Sequence, residues 1–140
     1  MQKKLYLCSA PILGQGKRNF RTLLDQTDCY LEFHDLTDAD HFQKELRQTD
    51  LLVNATSVGM DGESLPISID TSFPKELLVA DIIYQPFETP FLALARKQEI
   101  EAVNGLGMLL YQAAGSFKLW TGENMPTGAI WQELENIYNS

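Results

Sequence analysis

Short apolar runs alternate with amphipathic stretches along the chain. Leu5-Tyr6-Leu7-Cys8 reads as a strand, and Pro11, Gly14 and Gly16 mark a loop after it. Phe20, Leu23 and Leu24 stand at helical spacing and predict a helix from about Lys17 to Gln26. Tyr30-Leu31-Glu32-Phe33-His34 alternates and is rich in aromatics, which suits a second strand. Thr37 or Asp38 caps the next helix, whose buried stripe is Phe42 and Leu46. Asp50 to Asn54 is a third strand, followed by an irregular stretch from Thr56 to about Pro74. Leu77 to Tyr84 is a nearly continuous apolar run, as expected of a central strand buried on both faces. Thr89-Pro90 opens a helix that ends near Gln98, because proline at the first helical position gives up an N–H that has no partner there anyway. Ile100 to Val103 is a short fifth strand. Leu106 to Trp120 is helical and stops at Gly122. Pro126 opens a last helix with Ile130, Trp131, Leu134, Ile137 and Tyr138 on its apolar side. Alternation of this kind predicts an α/β fold with a parallel sheet and helices on both faces.

Composition adds limits. The chain has 140 residues, enough for one domain, and 44% of them are hydrophobic, enough for a core. The net charge of −8 repels nucleic acid and anionic lipid, so neither is an expected partner. No apolar run reaches the roughly 18 residues of a membrane span. The run after Lys3 and Lys4 is too short for a signal peptide. Cys8 and Cys29 fit no metal spacing and read as buried thiols in a reducing compartment, so the expected location is cytoplasmic.

In open parallel sheets ligands bind beyond the carboxyl ends of the strands, so the residues there carry the chemistry. After the first strand comes Gly14-Gln15-Gly16-Lys17-Arg18-Asn19, a G-x-G with asparagine at the third glycine, and Asp35 lies downstream at the distance of a ribose-binding acid. The loop from Cys8 is too long for the tight turn that motif needs. A solvated, locally basic loop is the better reading.

Three later strand ends are more informative. They are Asn54-Ala55-Thr56-Ser57-Val58-Gly59-Met60, Asp81-Ile82-Ile83-Tyr84-Gln85-Pro86 with Thr89-Pro90, and Asn104-Gly105-Leu106-Gly107-Met108 running on to Gln112. Each has a plain structural explanation. Asn-Ala-Thr can be a strand-to-loop turn, the glycines can admit a close helix, and Gln112 can be surface. Their joint order and spacing are harder to explain that way.

The elements N-A-T-S-x-G-M, D-x-x-Y-x-P-x-x-T-P and G-L-G-M-L-x-x-Q, with Trp120-Thr121-Gly122 after them, resemble the shikimate/quinate dehydrogenase family. The match runs from Asp50 to about Leu134. Residues 1–140 would then be a single, incomplete nucleotide-binding domain with a partial Rossmann-like parallel sheet. The resemblance implies NADP or NAD as cofactor. It implies that Asn54, Ala55 and Thr56 line the nucleotide cleft, that Gly105 and Met108 contact the nicotinamide ring, and that Tyr84 and Gln112 face the substrate.

The same resemblance implies what is not seen. The family's N-terminal domain carries a lysine–aspartate pair for proton transfer, and neither it nor the first strand, glycine turn and helix of the nucleotide domain is recognisable here. Leu5 to Cys8 aligns with the family's second nucleotide-domain strand, which puts Cys8-Ser9 where the adenosine ribose is read. Lys75, Lys97 and Lys118 read as solvated, and His34 and His41 as surface residues, so no catalytic residue and no metal ligand is assigned. The expectation is a dehydrogenase-like chain, inactive alone, completed by an N-terminal-domain chain. The alternative is a self-associating homo-oligomer or small-molecule-binding module without catalysis. Loss of an inner strand would expose sheet edge, and such surfaces recruit another chain.

Overall fold

Among the described residues five strands, all paired in parallel, organise the protein. The computed structural model describes residues 4–9, 30–36 and 38–138. The expected helix over 17–26, the Gly14–Asn19 turn, Cys29 and Thr37 lie outside them. Strand β1 (Lys4–Ser9) pairs with β2 (Tyr30–Asp35) as a two-stranded sheet. Strands β3 (Leu51–Asn54), β4 (Leu78–Asp81) and β5 (Glu101–Val103) form a three-stranded sheet with β4 in the middle. The register sets Leu51 opposite Leu78 and Leu78 opposite Glu101.

Helix α1 (Ala39–Leu46) starts where Asp38 accepts the His41 N–H at 3.0 Å. Helix α2 (Pro90–Lys97) follows Thr89, whose hydroxyl accepts the Leu92 N–H at 3.3 Å, with proline at the first position as the sequence predicts. Both helices turn their apolar side to one face of the three-stranded sheet. There Leu46, Leu52, Phe73, Leu77, Val79, Phe91, Leu92, Ala95 and Ile100 make one buried cluster. The irregular stretch before β4 is held to it by two glutamines. Gln43 brackets the backbone of Ser72, and Gln98 bonds Thr71 and Phe73, so the side-chain amides satisfy backbone groups that have no ladder partner.

Helix α3 (Leu106–Thr121) ends at Gly122, whose φ of 78° is the left-handed cap a glycine allows. Helix α4 (Thr127–Tyr138) packs on α3 and stacks Tyr138 on Phe87, ring centroids 4.8 Å apart. Together α3 and α4 flank the second face of the sheet without filling it. Met108 and Trp131 share a cavity of about 660 Å³ with Val53, Ala80 and Val103.

Three details depart from the pattern-based reading. The fourth strand stops at Asp81 rather than Tyr84, because the Asp81 carboxylate takes the Ile83 N–H at 3.0 Å and turns the chain out of the ladder. Its two faces differ: Val79 and Asp81 are buried, while Leu78 and Ala80 are half-covered. No residue of α4 is fully buried, and Ile137, expected on its apolar side, is 64% exposed, since the helix meets α3 and Phe87 but not the core.

Candidate functional site

The ends of β3, β4 and β5 meet on one rim. The Ile82 N–H donates to the Asn54 carbonyl at 3.0 Å, and the Gly105 N–H donates to the Ile83 carbonyl at 2.9 Å. Backbone bonds thus stitch the three segments beyond the regular ladder. The approach of Gly105 is tight: a Cβ there would lie 1.9 Å from the Ile82 carbonyl oxygen. Only glycine lets the start of α3 sit against the end of β4. This packing already requires glycine at 105, whether or not a ring contacts it.

Beneath the rim lies a buried polar network. The Asn54 amide donates to the Val58 carbonyl at 3.0 Å and to Asp81 Oδ1 at 3.1 Å. Its Oδ1 accepts from the Thr56 N–H and hydroxyl at 3.1 and 2.7 Å. Thr56 Oγ1 in turn accepts the Val58 N–H. Asp81 Oδ2 accepts the Thr89 hydroxyl at 2.7 Å. A carboxylate in a dry interior is costly unless donors surround it, and here three do: Asn54, Ile83 and Thr89. No buried side-chain polar atom among the described residues is left without a partner. On the β5 side, Asn104 donates to the Phe87 carbonyl at 3.0 Å and accepts the Leu106 N–H, starting α3.

Two cavities open on this rim, with Ile82 in the wall of both. The smaller, about 480 Å³, is lined by Ala55, Thr56, Ser57, Met60, Tyr84 and Gln85. The larger takes in Gly105 and Met108. Five of the seven residues assigned from sequence therefore stand at the rim: Ala55, Thr56, Tyr84, Gly105 and Met108. Asn54 does not present its side chain there; both ends of its amide are used inside, and it holds the loop that Ala55 and Thr56 belong to. Gln112 is exposed along α3 and lines neither cavity.

Sequence reasoning missed Asp81, Asn104 and the linking role of Thr89. The signal for Asp81 was present: an acid inside an apolar run with no neighbouring cation must find neutral donors.

The chemistry of the rim is mostly apolar and uncharged. No lysine or arginine lines the smaller cavity. The arginine at the larger one, Arg96, is engaged with Glu88. A thioether, a phenol ring, hydroxyls and close backbone suit a flat amide-bearing ring such as nicotinamide. They offer no counter-charge for a diphosphate. Lys75, Lys97 and Lys118 are exposed, as expected, and His41 is half-buried on α1. No group of metal-ligating side chains occurs among the described residues, nor any helix long and apolar enough to cross a membrane.

An all-parallel sheet with small and polar strand-end loops on one rim defines an α/β domain of the NAD(P)-binding class. Comparison with known proteins narrows it. The family model described as "Shikimate 5'-dehydrogenase C-terminal domain" matches residues 105–135. A shikimate dehydrogenase (NADP(+)) of Streptococcus thermophilus is 95% identical over 128 residues, covering 91% of this chain and 45% of the relative. That of Streptococcus mutans is 50% identical over 91% of this chain and 44% of its own length. Among solved structures, a Listeria monocytogenes shikimate 5-dehydrogenase in complex with shikimate and NAD superposes with a TM-score of 0.83 at 32% identity, over 94% of this chain and 47% of that one. A quinate dehydrogenase of Corynebacterium glutamicum shares the fold with a TM-score of 0.80. The chain belongs to the shikimate dehydrogenase family and corresponds to its C-terminal region. It spans less than half the length of these relatives.

Proposed function

We propose that this chain supplies the nicotinamide side of an NADP- or NAD-dependent dehydrogenase site whose reaction interconverts 3-dehydroshikimate and shikimate, or the corresponding quinate pair. One observation carries the reading: Ala55, Thr56, Tyr84, Gly105 and Met108 stand on one rim, locked there by the Asn54–Asp81–Thr89 network. When bound, the dinucleotide supplies the hydride acceptor or donor. The chain's residues do the rest of what the rim allows. Tyr84 and Thr56 flank the smaller cavity with hydroxyls, and Met60 and Met108 offer soft apolar contact.

Proton transfer is the step this chain does not serve. Oxidising a carbinol requires a base for the hydroxyl proton as the hydride leaves. No lysine, histidine or unengaged carboxylate lines the smaller cavity beside Tyr84. The lysine–aspartate pair of the family belongs to its other domain, and this reading assigns proton transfer to that pair.

The test is a spectrophotometric assay of purified chain with shikimate or quinate and NADP or NAD. The expected rate is that of the blank. Substrate-dependent reduction above it would show that the chain holds its own base and would contradict the reading.

A further inference from the structure

The polar groups that line the smaller cavity are not all free to act. The Thr56 hydroxyl spends its one proton on Asn54 Oδ1 at 2.7 Å and accepts the Val58 N–H at 3.1 Å. It has no donor left for a ligand. Three other lining groups keep theirs. The Ser57 hydroxyl, the Tyr84 phenol and the Gln85 amide bond no other described residue, and all three residues are exposed. Of the three, Gln85 offers the most: two N–H donors and a carbonyl acceptor on one flat group.

Two other glutamines show what such an amide does in this chain. Gln43 donates to the Ser72 carbonyl at 2.7 Å and accepts the Ser72 N–H at 2.9 Å. Gln98 donates to the Thr71 carbonyl at 2.8 Å and accepts the Phe73 N–H at 3.0 Å. Each satisfies both ends of its amide against other amides. Gln85 has the same chemistry, faces a cavity and has no such partner among the described residues. The charge of the cavity wall narrows the partner further. No lysine, arginine or histidine lines it, and the chain as a whole carries −8. An anion entering there gives up water without meeting a counter-charge, whereas a neutral group with both a donor and an acceptor is matched. Met60 and Ile82 add apolar surface for a ring that bears that group.

Building on the proposed function, we infer that Gln85 is a specificity-determining residue that reads the primary carboxamide of the nicotinamide ring. The two amides exchange hydrogen bonds, each donating an N–H to the carbonyl of the other. A carboxylate at the same place on the ring only accepts. It can take one Gln85 N–H, but its second oxygen then opposes the Gln85 carbonyl oxygen, and two acceptors repel. The site therefore takes nicotinamide and rejects nicotinic acid.

The experiment titrates the chain with NAD and with nicotinic acid adenine dinucleotide, which differ only in that amide. It reads Kd and the side-chain amide resonances of Gln85 by NMR. NAD is expected to bind about tenfold more tightly, the effect of replacing one hydrogen bond by a repulsive contact, and to move those resonances. Gln85→Leu removes the reader, and the two dinucleotides then bind within about twofold of each other. Gln85→Lys puts a cation in the wall and reverses the preference. Gln85 is exposed and braces nothing among the described residues, so both variants keep the fold, which their backbone spectra check. Should a variant unfold, the preference and the Gln85 resonances of the unsubstituted chain still decide. Equal affinity for the two dinucleotides, a preference that survives Gln85→Leu, or Gln85 resonances that answer to shikimate and not to NAD would each overturn the inference. If NAD still shifts Gly105 and Met108 in those cases, the proposed function stands without it. If NAD shifts no residue of the rim, both fall.

Discussion

Asp81 is a carboxylate only 2% exposed, and it ties three loops together. Replacing it with alanine leaves one N–H of the Asn54 amide, the Ile83 N–H and the Thr89 hydroxyl proton without their acceptor at once. Asp81→Ala should cost about 3 kcal/mol or more in urea unfolding, since each stranded buried donor costs about 1–3. Gly105→Ala should cost about 3 kcal/mol through overpacking against the Ile82 carbonyl. It should do so equally with and without cofactor, because the clash is internal. The exposed loop holds a different case. The Ser64 hydroxyl, followed by the Ser64 and Glu63 N–H groups, lowers the Asp61 carboxyl from 3.8 to about 2. The folded value lies below the unfolded one. The loop is therefore fully held above pH 3.8 and loosens as pH falls toward 2. A proton-detected titration of the Glu63 and Ser64 amides should follow that midpoint and lose it in Asp61→Asn. At this scale the sequence named most rim residues but not the buried network that holds them. Asn54 was legible as a strand-end polar group. That its amide is spent inward depends on Asp81 lying across the sheet, 27 positions away.

The elements were legible because their periodicities are clean. Thr89-Pro90 marked the start of α2 and Gly122 the end of α3, both through backbone constraints that need no tertiary partner. The end of β4 was not legible, because apolar continuity from Leu77 to Tyr84 hides the turn imposed by the Asp81 carboxylate. Nor was the bracing of residues 71–73 by Gln43 and Gln98, since glutamine carries no positional signature. The core sits under α2, so Phe91→Ala should destabilise by about 3–5 kcal/mol in denaturant unfolding. Helix α3 behaves oppositely. Leu119 and Trp120 are 86% and 83% exposed, and Trp120→Ser should change the stability of the isolated chain by less than about 0.5 kcal/mol.

At the scale of the whole molecule, the features join into one picture. The sheet is well packed on the α1–α2 face, while on its other face α3 and α4 leave the larger cavity open. Among the described residues the smaller cavity of the rim is lined by apolar, hydroxyl and amide groups, with no lysine, arginine or histidine. The family resemblance was read from three strand ends, and the parallel register of β3, β4 and β5 brings those ends together. The most direct test is a residue-resolved NMR titration of the chain with NADP or NAD. The account predicts shifts confined to Ala55–Ser57, Ile82–Gln85 and Gly105–Met108. Shifts centred on the outer faces of α1 and α2, with the rim unmoved, would contradict it.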